Sequence, residues 1–183
     1  MSQETAIPLI MDALAFAAHK HRDQRRKDKG ASPYINHPVT LAHILATEGG
    51  VTDPIALAGA LLHDTVEDTE TTYEELVERF GRAVADVVME CTDDKTLPKA
   101  ERKELQVTHA PEMSPAAKLV KIADKTANLR DVASHPPADW TRARRHEYAN
   151  WAKRVVDNLG EVNLELEASF TRAHAAVLNT GGH

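Results

Sequence analysis

Residues 53–64 read DPIALAGALLHD, and this stretch constrains the fold more than any other. Asp53 followed by Pro54 is a helix start: the aspartate can cap free backbone N–H groups, and proline is pre-set for the first turn. The residues that follow are apolar on nearly every side, so the helix must be central and buried. A chain built round such a rod needs other helices to cover it, and the flanking sequence supplies them. Ile7, Ile10, Leu14 and Ala17 form a stripe at spacings of three and four within a helix over 7–25. His37 and Pro38 open a second helix that runs to about Glu48 and stops at Gly49-Gly50. TTYEELVERFG starts on a threonine cap and ends on a glycine.

Helices are also predicted over 82–92, in PKAERKELQVTHA, in SPAAKLVKIADKTANLRDV, and over 140–158 and 161–178. No segment sustains the period-two alternation of a strand. The expected fold is all-α, with about eight to nine helices. One domain covers 1–183, with a core of about 5–178 and a flexible tail at 179–183 (NTGGH).

With 183 residues, 42% hydrophobic and 27% charged, the chain can bury a core without disulfides or a structural metal. Cys91 is the one cysteine, which is compatible with a reducing compartment. The start lacks a basic n-region, and no uncharged run reaches transmembrane length, so a cytoplasmic protein is expected with no membrane partner. A net charge of −6 argues against binding nucleic-acid polymers, which needs a broad basic face. One local exception is HKHRDQRRKDK at 19–29, with six Lys or Arg against two Asp. It reads either as a solvated helix end or as the wall of a site for an anionic ligand.

The buried helix ends in His63 and Asp64, and buried acids are rare unless paired or metal-bound. Adjacent residues on a regular helix diverge by about 100°, but they can converge where the chain leaves its regular path. His37 stands before a proline at a helix start, and Asp124 lies among apolar neighbours in KLVKIADKTANL. Each has a plain reading: a helix-terminal histidine, or an acid paired with Lys121 or Lys125. Together, His37, His63, Asp64 and Asp124 offer two imidazoles and two carboxylates, with Glu67 and Asp68 as spare acids nearby. Such a mixed set suits Mn, Fe, Co or Zn in a catalytic role rather than a cysteine-rich structural zinc. An ion there would lower the pKa of a bound water and offset charge on a phosphoryl group, while Glu67 and Asp68 orient the water and pass its proton.

The order His37…His63-Asp64…Asp124 resembles the signature of HD-domain metal phosphohydrolases. RRKDKGASPYINHP (25–38), ALLHDTVEDTETT (60–72), TDDKTLPKAERK (92–103) and KLVKIADKTANLRD (118–131) are similar to the hydrolase domain of the RelA/SpoT family. Its short members, the small alarmone hydrolases and metazoan SpoT homologues, are the nearest in kind. The resemblance implies an all-helical HD domain binding one Mn²⁺ through His37, His63, Asp64 and Asp124. It implies removal of pyrophosphate from the 3′ position of the alarmones ppGpp and pppGpp, with Glu67 and Asp68 serving the attacking water. Arg26 and Lys27 then match a basic pair near base and phosphates, and Asn128 a ribose contact. Lys99, Arg144 and Tyr148 match positions near distal phosphates or the nucleotide. No synthetase region follows within the 183 residues, so degradation without synthesis is expected. The alternative substrate is NADPH, losing its 2′-phosphate, or another nucleotide; a sensor that binds without turnover is the third reading.

Overall fold

The computed structural model describes residues 3–26 and 30–179, with the side chains of Gln3 and Glu4 left aside. Lys27 and the end of the tail, 180–183, lie outside the described residues. Among those described there are ten α-helical segments and no strand, only one antiparallel bridge between Arg25 and Pro33. They are α1 (Gln3–Lys20), α2 (Asn36–His43), α3 (Pro54–Leu62), α4 (Thr65–Asp68), α5 (Tyr73–Phe80), α6 (Arg82–Cys91), α7 (Lys99–His109), α8 (Pro115–Ser134), α9 (Arg142–Asn158) and α10 (Leu164–Asn179). None is long and apolar enough to cross a membrane.

The run that opened the sequence is α3. Asp53 caps it by accepting a 3.0 Å bond from the Ile55 amide, and every residue from Ala56 to Leu62 is buried. It packs against α1, α2, α6 and α8. Its opposite faces feed two apolar clusters: Leu57 and Ala60 join one with α8 and α10, while Ala58, Leu61 and Leu62 join the other with α1, α5 and α6. Gly59 sets the spacing to α6, since a Cβ there would lie 2.6 Å from Val87 Cγ1.

The other helix starts also follow their side chains. Thr72, Ser114 and Thr141 each accept a bond from the amide three residues on. At Gly81, φ is +83°, and this one left-handed residue ends α5 and starts α6.

The structure departs from expectation in several places: α1 starts at Gln3 rather than residue 7, and α10 at Leu164 rather than residue 161. α1 ends at Lys20 rather than near residue 25, because the chain turns back through the Arg25–Pro33 bridge and the bonds Arg26 N to Ser32 O (2.9 Å) and Tyr34 N to Gln24 O (3.1 Å). Long-range pairing here displaces a local helical pattern. Asn179, placed in the tail by sequence, belongs to α10. The single turn α4 was not expected as a helix.

α2 continues to Glu48 as a π-helical turn, Ile44–Glu48, which ends at Gly49. That turn presents Glu48 to Arg130 of α8, with contacts of 2.7 and 2.8 Å, and to Ser169 of α10, which donates to the same carboxylate. The Arg130 bond holds the Glu48 carboxyl down at about 2 against an ordinary value of 4.5, despite some opposing burial. A carboxyl depressed on folding stabilises the fold above pH 4.5, and the contribution vanishes as pH falls to 2. Arg130 is 40% exposed, so screening leaves roughly 1–2 kcal/mol. Urea unfolding of wild type and Glu48→Gln is expected to differ by about that amount at pH 6 and to converge near pH 2. A gap unchanged at low pH would contradict this.

Candidate active site

The joint between α3 and α4 makes the site possible. At Asp64, φ is −98° and ψ −2°, off the regular helical path, so His63 and Asp64 point into one space although they are sequence neighbours. His63 Nε2 lies 2.9 Å from Asp64 Oδ2. α2 brings His37, whose Nε2 is 3.2 Å from Asp124 Oδ1 on α8 and 4.0 Å from Asp64 Oδ2. Donor atoms of His37, His63 and Asp124 fall within 4.8 Å of one another.

Two observations test whether this cluster suits a cation. His63 Nδ1 is 2.9 Å from the Ala60 carbonyl, which can only accept, so Nδ1 carries the proton and Nε2 presents its lone pair to the cluster. His63 Nε2 is buried without an aligned hydrogen bond, despite its closeness to Asp64. The residues fit a divalent metal.

A proton competes for the same place: burial disfavours charge on His63, but Asp64 overrides it and raises the imidazole to about 8, so the neutral ring that offers Nε2 to a cation forms when that proton leaves. Burial opposes ionisation of Asp64 and Asp124 too, yet His63 for the first and Lys125 for the second hold them well below the usual carboxylate range. Two ionised acids facing two imidazoles make a strong cation trap.

Glu67 and Asp68 sit on the single turn α4 at the rim. Burial pushes the Glu67 carboxyl up, partly offset by the Asp93 amide, which donates to it at 3.1 Å. Asp68 takes an ion pair from Lys95 and a 3.3 Å bond from the Tyr34 hydroxyl. Tyr34 also donates to Asp64 at 2.5 Å, and burial followed by the Asp64 charge keeps its phenol protonated. Tyr34 reaches the site because its amide pairs back with the Gln24 carbonyl at 3.1 Å.

Asn128, one turn beyond Asp124, donates to Asp124 Oδ1 at 2.6 Å and accepts from Arg26 at 3.2 Å. Arg26 also pairs with Asp131 at 2.6 Å. The plain reading of Asp124 holds in part, since Lys125 binds its second oxygen at 3.0 Å. Lys125 is 3% exposed and lies 4.5 Å from the Trp151 ring centre.

The histidine–aspartate cluster lines a cavity of about 200 Å³. Arg26, Tyr34, Asp68 and Asn128 are shared with a second of about 410 Å³, walled by Pro137, Trp140 and Tyr148. Trp140 and Tyr148 are shared in turn with a third of about 370 Å³ carrying Lys99, Lys103 and Arg144. Of the expected residues, His37, His63, Asp64, Glu67, Asp68, Asp124, Asn128 and Arg26 line the first cavity, Tyr148 the second and third, and Lys99 and Arg144 the third alone; Lys27 is not described. Sequence reasoning missed Lys95, Lys103, Lys125 and Trp140; only their closeness in the words 92–103 and 118–131 hinted at the first three.

The HD-domain profile matches residues 13–155. The chain belongs to the HD-domain family. It is 55% identical to the MESH1 guanosine-3′,5′-bis(diphosphate) 3′-pyrophosphohydrolase of Xenopus tropicalis, over 93% of this chain and 94% of that one. Identity to the Homo sapiens MESH1 enzyme is also 55%, over 88% and 90%. A solved structure of a metazoan SpoT orthologue, described as hydrolysing ppGpp with a role in starvation responses, superposes with a TM-score of 0.88 at 47% identity. It covers 91% of this chain and 94% of that one.

Proposed function

We propose that this chain is a cytoplasmic, single-domain, Mn²⁺-dependent hydrolase that removes pyrophosphate from the 3′ position of ppGpp and pppGpp. The observation that carries the reading is the order of the three adjoining cavities. A cation-binding cluster, an apolar-walled slot and a basic shelf follow one another. A nucleotide with phosphate chains on both sides of its ribose has that sequence of chemistries. The MESH1 relatives bear the name of this activity.

A divalent ion held by His37, His63, Asp64 and Asp124 would polarise the phosphoryl oxygens and lower the pKa of a bound water. Glu67, its proton affinity raised by burial, takes the water's proton. Asp68, fixed by Lys95 and Tyr34, orients that water. The water oxygen bonds to the phosphorus on O3′, and the P–O3′ bond breaks. O3′ leaves with a proton, giving GDP or GTP, and pyrophosphate departs with the new oxygen. Asn128 and Arg26 stand between cluster and slot, where they hold the ribose and its phosphate. Trp140 and Tyr148 flank the nucleoside, and Lys99 and Arg144 take the 5′ phosphates.

The Mn²⁺-loaded protein, incubated separately with ppGpp and NADPH, is expected to release pyrophosphate and GDP from the first. Phosphate from NADPH with no pyrophosphate from ppGpp would move the assignment to a 2′-phosphatase. Binding of ppGpp without products would make the protein a sensor.

A further inference from the structure

The reaction cavity has another neighbour, on a different side from the nucleoside slot. A cavity of about 180 Å³ between α6, α7 and α8 shares Asp93, Gln106 and Lys121 with it, and no residue with the slot. Lys121 lies in the wall common to both. It is 6% exposed, and its one acceptor among the described residues is the Cys91 carbonyl at 3.3 Å. An ammonium has three donors, so two remain unspent on a buried charge, which is costly unless an anion meets them.

Arg102 lines the same cavity, with its Nε buried and without a partner. Neither cation forms an ion pair among the described residues. The nearby acids are already engaged. Asp93 accepts two bonds from Gln106 at 3.0 and 2.7 Å, Asp94 is held by Thr96, and Glu90 accepts from the Ser114 amide. Those donors are neutral, so the three carboxylates keep their charge; what the cavity leaves unmet is the buried N–H donors of Lys121 and Arg102.

A 3′-diphosphate poses a matching problem. Its inner phosphorus reacts at the metal cluster and its nucleoside lies in the slot, so its terminal phosphoryl must project elsewhere. We propose that Lys121, with Arg102 behind it, forms the subsite for that terminal phosphoryl group and makes the site prefer a 3′-diphosphate over a 3′-monophosphate. The inference rests on the pyrophosphohydrolase reading. It assigns a specificity role to a lysine that would otherwise be a costly core residue.

The test compares two substrates that differ by one phosphoryl: guanosine 3′,5′-bis(diphosphate) and guanosine 5′-diphosphate 3′-monophosphate. In Lys121→Met, which keeps the side-chain length, kcat/KM for the first is expected to fall about ten- to hundredfold, the range for a charge-assisted bond. For the second it should fall less than about threefold. Arg102→Gln, at a half-buried position, should shift the ratio in the same direction by a smaller factor. Equal losses on both substrates would mark Lys121 as structural and overturn the proposal. A direct reading comes from added pyrophosphate, which should raise the Tm of the Mn²⁺-loaded wild type more than that of either variant. An equal rise in all three also overturns it. This reading does not depend on turnover, so a wild type that releases no pyrophosphate from ppGpp would fail the functional assignment separately.

Discussion

Replacing Asp64 with asparagine is expected to lower kcat/KM for ppGpp by at least about a thousandfold and to strip the protein of metal. Asp64 Oδ2 faces His63 at 2.9 Å, His37 at 4.0 Å and the Tyr34 hydroxyl at 2.5 Å. Asparagine keeps the shape and can still accept from Tyr34, but it removes one of the two charges that draw a cation between the imidazoles. The fold should survive, because α3 is held by apolar packing on both faces and a chain of this length does not need a metal to fold. Metal content after dialysis, far-UV circular dichroism and pyrophosphate release together decide the matter. A variant that keeps its metal and more than about a tenth of its activity would sink the ligand assignment.

Changing Glu67 to glutamine should separate chemistry from metal binding. Glu67 sits at the rim, three residues past Asp64, and is tied to the Asp93 amide. Loss of a positioned general base costs about 10²–10⁴ in kcat, while metal content should stay at the wild-type level. The group must be ionised to accept the water's proton, so activity rises with pH through its titration. Burial displaces that limb above the ordinary glutamate range. The glutamine variant should lack the limb. Full activity in Glu67→Gln, or loss of metal along with activity, would contradict the division of roles.

Legibility varied along the chain for identifiable reasons. α3 could be read almost whole, because cap, proline and unbroken apolar composition all pointed the same way. The end of α1 could not, because a helical pattern at 21–25 gave way to a backbone pairing with Ser32–Tyr34 that local propensity does not encode. Asp124 was visible as an acid out of place in an apolar stretch. Lys125 was invisible as a site residue, since a lysine beside an aspartate on a helix is ordinary until Trp151 closes over it.

The residue types alone determined that helices would surround α3 and that imidazoles and carboxylates would recur in the order His37, His63, Asp64, Asp124. These follow from periodicity and from the cost of burying charge, both local properties. Only the tertiary structure decided that the four meet. Two of them come from helices separated by long stretches of chain, and the other two converge only because ψ near −2° at Asp64 turns adjacent side chains into one space. The same is true of Tyr34, whose amide pairs back with Gln24, and of Lys121, which the fold sets in the wall common to two cavities. Contacts between distant segments depend on how the whole core closes, and no window of sequence contains that information.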